Sequence, residues 1–250
     1  MRGKSLLWGL IAGLFWLGVW TAVALAVDRE LLVPTPWAVA ATLWRLAGTK
    51  EFWQAAGASL LRVAAGFAAG VAAGSLLGVL TARFAPARRL FSPLLKVIRA
   101  TPVASFIILA FVWLVTDILP AFISFLMVLP VVWANVEEGI RQEDQKLLEM
   151  AQVFRWNRAA TLLHLRIPAV MPYFLTGCTT ALGLAWKSGV AAEVICRPSY
   201  SVGKLLQTAK ANLETQEVFA YTVAVILFSV ALERLLLILV KRLGARFNVE

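Results

Sequence analysis

Long apolar runs alternate along this chain with short basic connections. The first run, Ser5 to Val27, follows Arg2 and Lys4. Ala24-Leu25-Ala26 has the form of a signal-peptide cleavage site, but the apolar stretch is longer than the about 7–15 residues of a signal core. It reads as an uncleaved first helix. Asp28 to Glu51 is a mixed external segment in which Pro34 and Pro36 block a continuous helix. The second run, Ala55 to Ala82, carries Gly66, Gly70, Gly74 and Gly78. Intervals of four place them on one stripe where another helix can approach the backbone, so their expected role is packing. Arg83, Arg88 and Arg89 follow, and Pro86 and Pro93 are expected to break this connection.

From Ala100 to Val136 the only charge is Asp117. Thirty-seven helical residues would measure about 55 Å, enough for two crossings of a core about 30 Å thick. The pattern predicts a hairpin of spans three and four turning near Thr116-Asp117. Glu137 to Ile167 is too polar to cross. Ile140, Leu147, Leu148, Ala151 and Phe154 recur at helical spacing, with charges on the other face. This predicts an amphipathic helix, a break at Trp156-Asn157 and a second short helix ending at Pro168. Span five follows over about Val170–Ile195 and span six over about Val218–Val240.

Composition agrees with six spans. Of 250 residues, 60% are hydrophobic and 15% charged, against about 45–50% and about 25% in soluble domains. No length is left for a separate catalytic domain. The net charge of +10 resides in short loops, as the positive-inside rule requires. Placing both ends in the cytoplasm puts fourteen Lys and Arg residues inside and six outside, so the polar helical segment faces the cytoplasm. Cys178 and Cys196 make no disulfide framework or metal spacing, and His164 is the only histidine, which excludes zinc sites and histidine-dependent triads. Val202-Gly203-Lys204 resembles the end of a phosphate-binding loop, but Pro198 and Leu205 stand where Gly and Ser/Thr are needed. This chain is not expected to hydrolyse ATP by itself, and the charge pattern points to membrane rather than nucleic acid.

Within the cytoplasmic segment the chain reads Glu149-Met150-Ala151, then Arg155, then Ile167-Pro168. This resembles the loop of the membrane subunit of bacterial ATP-binding-cassette importers, in which Glu-Ala-Ala is followed four residues on by Gly and thirteen further on by a Leu-Pro pair. Arg155 departs from that pattern. The likeness continues in Arg62–Phe67 with its glycines, in Arg99-Ala100-Thr101-Pro102, and in Pro168–Tyr173, Gly183–Trp186 and Ala191–Glu193, which look most like the sulfonate, taurine and nitrate branch.

The resemblance covers roughly residues 55–242. It implies an all-α, type I permease of about six membrane helices, with residues 1–54 as an N-terminal helix and external segment and 243–250 as a cytoplasmic tail. It further implies a pair of permease copies in the bacterial inner membrane, a cytoplasmic ATPase on each and an external binding protein delivering a small anion. No cofactor is expected on this chain; ATP and Mg belong to the ATPase. Residues 137–168 would form the coupling loop, with Glu149, Ala151, Arg155 and Pro168 as its marked positions and Ala151 small because the ATPase groove leaves no space. Lys187 and Glu193, both inside span five, are candidates for the substrate path; Lys187 favours an anion or snorkels to the outer interface. As the acid and base of an intramembrane enzyme the two are separated by about 600° of helical rotation. The rival readings are a secondary transporter, which would not require this docking loop, and such an enzyme.

Overall fold

Thirty-four residues free of proline, Lys50–Arg83, form the longest helix of the computed structural model, α3. Thr49 starts it, its hydroxyl accepting from Phe52 N at 3.3 Å, and Glu51 occupies the first turn, where the helix dipole favours a negative charge. The structure describes residues 2–246; Met1 and 247–250 lie outside the described residues, as do the side chains of 2–6, 10, 239 and 241–246. Part of the expected cytoplasmic tail therefore falls outside them. The remaining helices are α1 (Arg2–Val27), α2 (Pro36–Ala47), α4 (Ala85–Ala100), α5 (Val103–Phe111), α6 (Leu119–Arg141), α7 (Gln145–Val153), α8 (Arg158–Thr161), α9 (Ile167–Cys196), α10 (Val202–Ala211) and α11 (Thr215–Arg246). No strand occurs among the described residues. Helices α1, α3, α6, α9 and α11 are long and apolar enough to cross a membrane, and the pair α4–α5, bent by 101°, makes the sixth candidate.

That sixth candidate corrects the expected hairpin. Pro102 disfavours helical backbone at the residue before it, and Thr101 is extended with φ −83° and ψ 128°. The helix stops there, and α5 is only nine residues long, about 13 Å, well short of a bilayer core. The turn itself falls at 112–118, around Thr116-Asp117 as expected, and leads into α6; the third span is therefore the bent α4–α5 pair and not one straight helix. The connection at 83–100 also differs from expectation. It is helical, because Pro86 sits in the first turn, where its missing N–H costs no bond, and Pro93 is carried inside α4. Arg88, Arg89, Lys96 and Arg99 make α4 amphipathic.

Helix α6 is the centre of the bundle, lying between α3 and α9. Val63 of α3, Val128, Val132 and Val136 of α6, and Ala181, Ala185, Trp186 and Val190 of α9 form the main buried cluster. Gly66, Gly70, Gly74 and Gly78 all face α6. A Cβ on Gly70 would stand 2.7 Å from Val128 Cβ and one on Gly78 2.8 Å from Val136 Cβ; on Gly66 it would meet the Ala121 carbonyl oxygen. A second seam joins α6 to α9, where Gly139 faces Tyr173, Gly177 faces Asn135 and Gly189 faces Ser124 and Val63. Those three glycines lack a regular interval and carry no stripe signal in the sequence.

Away from this core α2 packs on the start of α11. Val39 and Leu46 meet Ala220, Tyr221 and Ala224, and Arg45 pairs with Glu217 at 2.9 Å. Helix α1 touches this assembly mainly through Trp20, which stacks on Phe219 and donates to Pro34 O at 3.1 Å.

Candidate coupling segment and membrane path

Three capping elements set the shape of the polar segment. Asp144 opens α7, its carboxylate accepting from Lys146 N at 2.8 Å. At the other end Arg155 N donates to Gln152 O at 3.0 Å and Trp156 N to Ala151 O at 2.9 Å, with Arg155 itself at φ 51°. This paired closure needs a left-handed residue at its centre, the position glycine usually holds. The departure at Arg155 thus leaves the turn intact, with a side chain where glycine is more comfortable. Asn157 then opens α8, accepting from Ala160 N at 2.7 Å. We expect Arg155→Gly to raise the thermal unfolding midpoint of the purified chain slightly, by a gain of about 1 kcal/mol. A lowered midpoint would mean that the arginine side chain, not the backbone, holds this turn.

The second short helix does not end at Pro168. Residues 158–196 run on as one rod, with Pro168 in the first turn of α9. Proline has no N–H for the carbonyl four residues back, and the preceding turn widens so that Ile167 N donates to Leu162 O, five residues back. The π turn at Leu162–Arg166 is the local solution to that missing bond.

Exposure corrects the expected apolar face. Of its positions on α7 only Ala151 is buried, at 2% exposure, and it is buried by this chain itself. Its small size is therefore an internal requirement, before any partner is considered. Leu147, Met150, Val153 and Phe154 form an outward apolar stripe instead, Val153 at 78% and Phe154 at 69% exposure. Glu149 is exposed beside them. Behind the stripe, between α7 and the α8–π turn, opens a polar cleft of about 900 Å³ whose walls include Arg83, Glu149, Gln152, Trp156, Arg158 and Arg166.

A half-buried anchor ties this segment to the bundle. Glu137, near the end of α6, accepts from Arg141 at 2.8 Å, lies 3.3 Å from Arg88 of α4, and accepts from Thr81 of α3 at 3.1 Å. Thr81 in turn accepts from Trp133 Nε1 at 2.8 Å. Three helices thus meet at one carboxylate four residues before the chain leaves α6.

On the C-terminal half of α9 the two predicted path residues part company. Lys187 is exposed; Glu193 is 0% exposed, on the side toward α3 and α10. Glu193 is thus enclosed by protein rather than open to a path in this arrangement. One oxygen accepts from Ser59 at 2.7 Å and Gly203 N at 3.2 Å; the other lies 3.6 Å from Arg62. Arg62 also donates to Ser199 O at 2.6 Å and Tyr200 O at 3.1 Å and reaches Asp117 at 3.2 Å. Asp117 accepts from Ser199 N at 2.9 Å. The loop 197–201, with Arg197 and Tyr200 both at positive φ, is held in place by this clasp. Arg62, Asp117 and Ser59 were not candidates in the sequence; the available signal was an arginine within an apolar span, which requires a protein or water partner. With Lys187 and Glu193 on opposite faces, no acid–base pair forms between them.

Similarity to known proteins agrees with this architecture. Residues 70–248 match the family described as binding-protein-dependent transport system inner membrane component. The taurine transport system permease protein of Escherichia coli K12 is 27% identical over 230 residues, 90% of this chain and 83% of the relative. A putative aliphatic sulfonates transport permease protein of Bacillus subtilis 168 is 30% identical over 231 residues, 89% and 80% of the two chains. A bicarbonate transport system permease protein of Synechococcus elongatus is 32% identical over 155 residues, 61% and 55%.

Proposed function

Because the chain belongs to the family of binding-protein-dependent transport system inner membrane components, we propose that this multi-pass inner-membrane permease works as one of a pair, driven by cytoplasmic ATPases. Each copy docks an ATPase through α7 and accepts a small anion from an external binding protein. ATP and Mg sit on the partner. Both chain ends and α7 face the cytoplasm, in keeping with the excess of basic residues in the segments assigned to that side.

The observation that carries this reading is the stripe of Leu147, Met150, Val153 and Phe154 on a nine-residue helix capped at both ends. A water-facing segment does not leave four large apolar side chains uncovered without a partner to bury them. Helix α7 is short and closed by hydrogen bonds, so a push on it moves it as one body. The Glu137 cluster then passes the displacement to α3, α4 and α6 together, and the continuous rod of 158–196 carries it across the membrane. Two copies rocked in this way alternate between inward- and outward-open arrangements. Lys187, exposed within α9, supplies positive charge for an anionic cargo; taurine and sulfonates in the names of relatives support that class.

The test is purification of the tagged full chain from mild detergent. An ATP-hydrolysing subunit should accompany it in one-to-one ratio. A permease recovered folded but alone, from cells that hold the complete set of partners, would remove the coupled reading and favour a gradient-driven carrier.

A further inference from the structure

On α9 Thr176, Thr180, Leu184, Lys187 and Ala191 are exposed within the membrane, with half-buried Gly183 among them. Spacings of three and four run from Thr176 to Ala191 along one line of the helix. Beside it, α11 exposes Ile226, Leu227, Val230, Leu235 and Ile238, side chains suited to lipid. Glu233 and Arg234 interrupt that surface, and both are exposed.

The relative register of the two helices follows from Trp186 Nε1, which donates to Val225 O at 3.0 Å. Glu233 lies eight residues past Val225 and eight before Lys241, about 12 Å from each, well inside the apolar span. It faces α9: a Cβ on Gly183 would stand 3.5 Å from its Oε1. With Thr179, Leu236 and Leu237 it lines an opening of about 120 Å³. Neither Glu233 nor Lys187 has a hydrogen bond or ion pair among the described residues. A charge held against hydrocarbon at this depth costs about 2.5–3.5 kcal/mol. Two of them, with two threonines on the same face, do not belong against lipid.

We infer that this α9–α11 face lines a water-filled path and that Glu233 is a path residue, opposite in sign to Lys187. The inference rests on the permease reading and extends it. Lys187 lies one turn outward of Gly183, whereas Glu233 lies at its level, so a solute moving inward meets the positive charge first and the carboxylate next. Glu233 offsets the lysine and restrains negative charge near Thr180. Arg234, on the neighbouring face of α11, adds charge in the same stretch and is kept unchanged in the test.

The full chain with Cys178→Ala and Cys196→Ala, in native membranes with its partners, receives single cysteines by Glu233→Cys, Thr180→Cys or Leu235→Cys. Membrane-impermeant methanethiosulfonates, one cationic and one anionic, are then applied. Positions 233 and 180 should react at least tenfold faster than position 235 on the apolar face; equal rates would overturn the path. At Thr180→Cys the preference for the cationic reagent should fall about fivefold with Glu233→Gln and rise with Lys187→Gln. An unchanged preference in Glu233→Gln would overturn the role of the carboxylate. Co-purification of the ATPase from the same membranes reads the importer assignment separately: labelling without ATPase supports the path and removes the coupling, and ATPase without labelling does the reverse.

Discussion

Gly70→Leu should abolish recovery of a monodisperse, thermally cooperative permease, while Gly57→Leu on the same helix should leave recovery unchanged. At Gly70 the first added carbon would already lie 2.7 Å from Val128 Cβ and 3.0 Å from Phe125 O. Both atoms belong to α6 and neither is the free end of a flexible side chain. The helices must separate, and separation also empties the neighbouring contacts at Gly66, Gly74 and Gly78. Overpacking at one site typically costs about 1–3 kcal/mol; four coupled sites along a rigid seam exceed that. At Gly57 an added Cβ meets nothing within 4 Å, and leaving glycine behind favours the helix by about 1 kcal/mol. The comparison is read as size-exclusion profile and unfolding midpoint in one detergent. Equal behaviour of the two variants would refute the close α3–α6 seam.

The second large effect is on assembly. Val153→Asp combined with Phe154→Asp should leave the permease folded, inserted and as stable as before, yet weaken ATPase retention by about a hundredfold and stop uptake. Both side chains point outward, so their loss removes little internal packing. If they seat in a partner, placing two carboxylates there is equivalent to deleting a binding hot spot of about 2 kcal/mol or more. Ala151→Trp is a poorer probe of the same surface. That position is filled by the chain's own atoms, and the variant would fail by misfolding whether or not a partner docks. Normal uptake by the double Asp variant would move the docking surface away from α7, leaving the polar cleft beside Arg83, Arg158 and Arg166 as the alternative contact.

A mechanical picture follows from the two ends of the molecule. At one end of the bundle Glu137 gathers α3, α4 and α6; at the other Arg62 and Glu193 gather α3, α9 and the loop before α10. Helix α3 runs through both. In between, α3, α6 and α9 meet where valine side chains of α6 seat against the glycines of α3 and where Trp186 of α9 is buried.

Much of this was legible in the sequence because membrane insertion is governed by local quantities. Apolar length specifies a crossing, basic loops specify its side, and a fourfold glycine interval marks a close face. Gly66–Gly78 and the spans of α3, α9 and α11 were readable for that reason, as was the break at Trp156-Asn157, where Asn is a helix-starting residue. What could not be read depended on partners distant in the chain. The brief α5 looked like a full span because apolarity measures partition, whereas Pro102 acts on backbone torsion and so decided where the helix stopped. The α7 apolar positions were readable as one side of a helix, but periodicity shows which residues share a side, not what covers it. Ala151 and Glu193 show the same limit from within. Burial of Ala151 depends on the return of the chain at Trp156, and enclosure of Glu193 on Ser59, 134 residues earlier. The sequence by itself determined the helical class, the membrane setting and the place of an amphipathic segment between two spans. Only the tertiary structure decided which charged side chains are consumed by the protein and which, like Lys187 and Glu233, have no partner among the described residues on an intramembrane face. The physical reason is that partition is a sum over neighbouring residues, whereas the satisfaction of a buried charge is a property of the groups that folding brings to it.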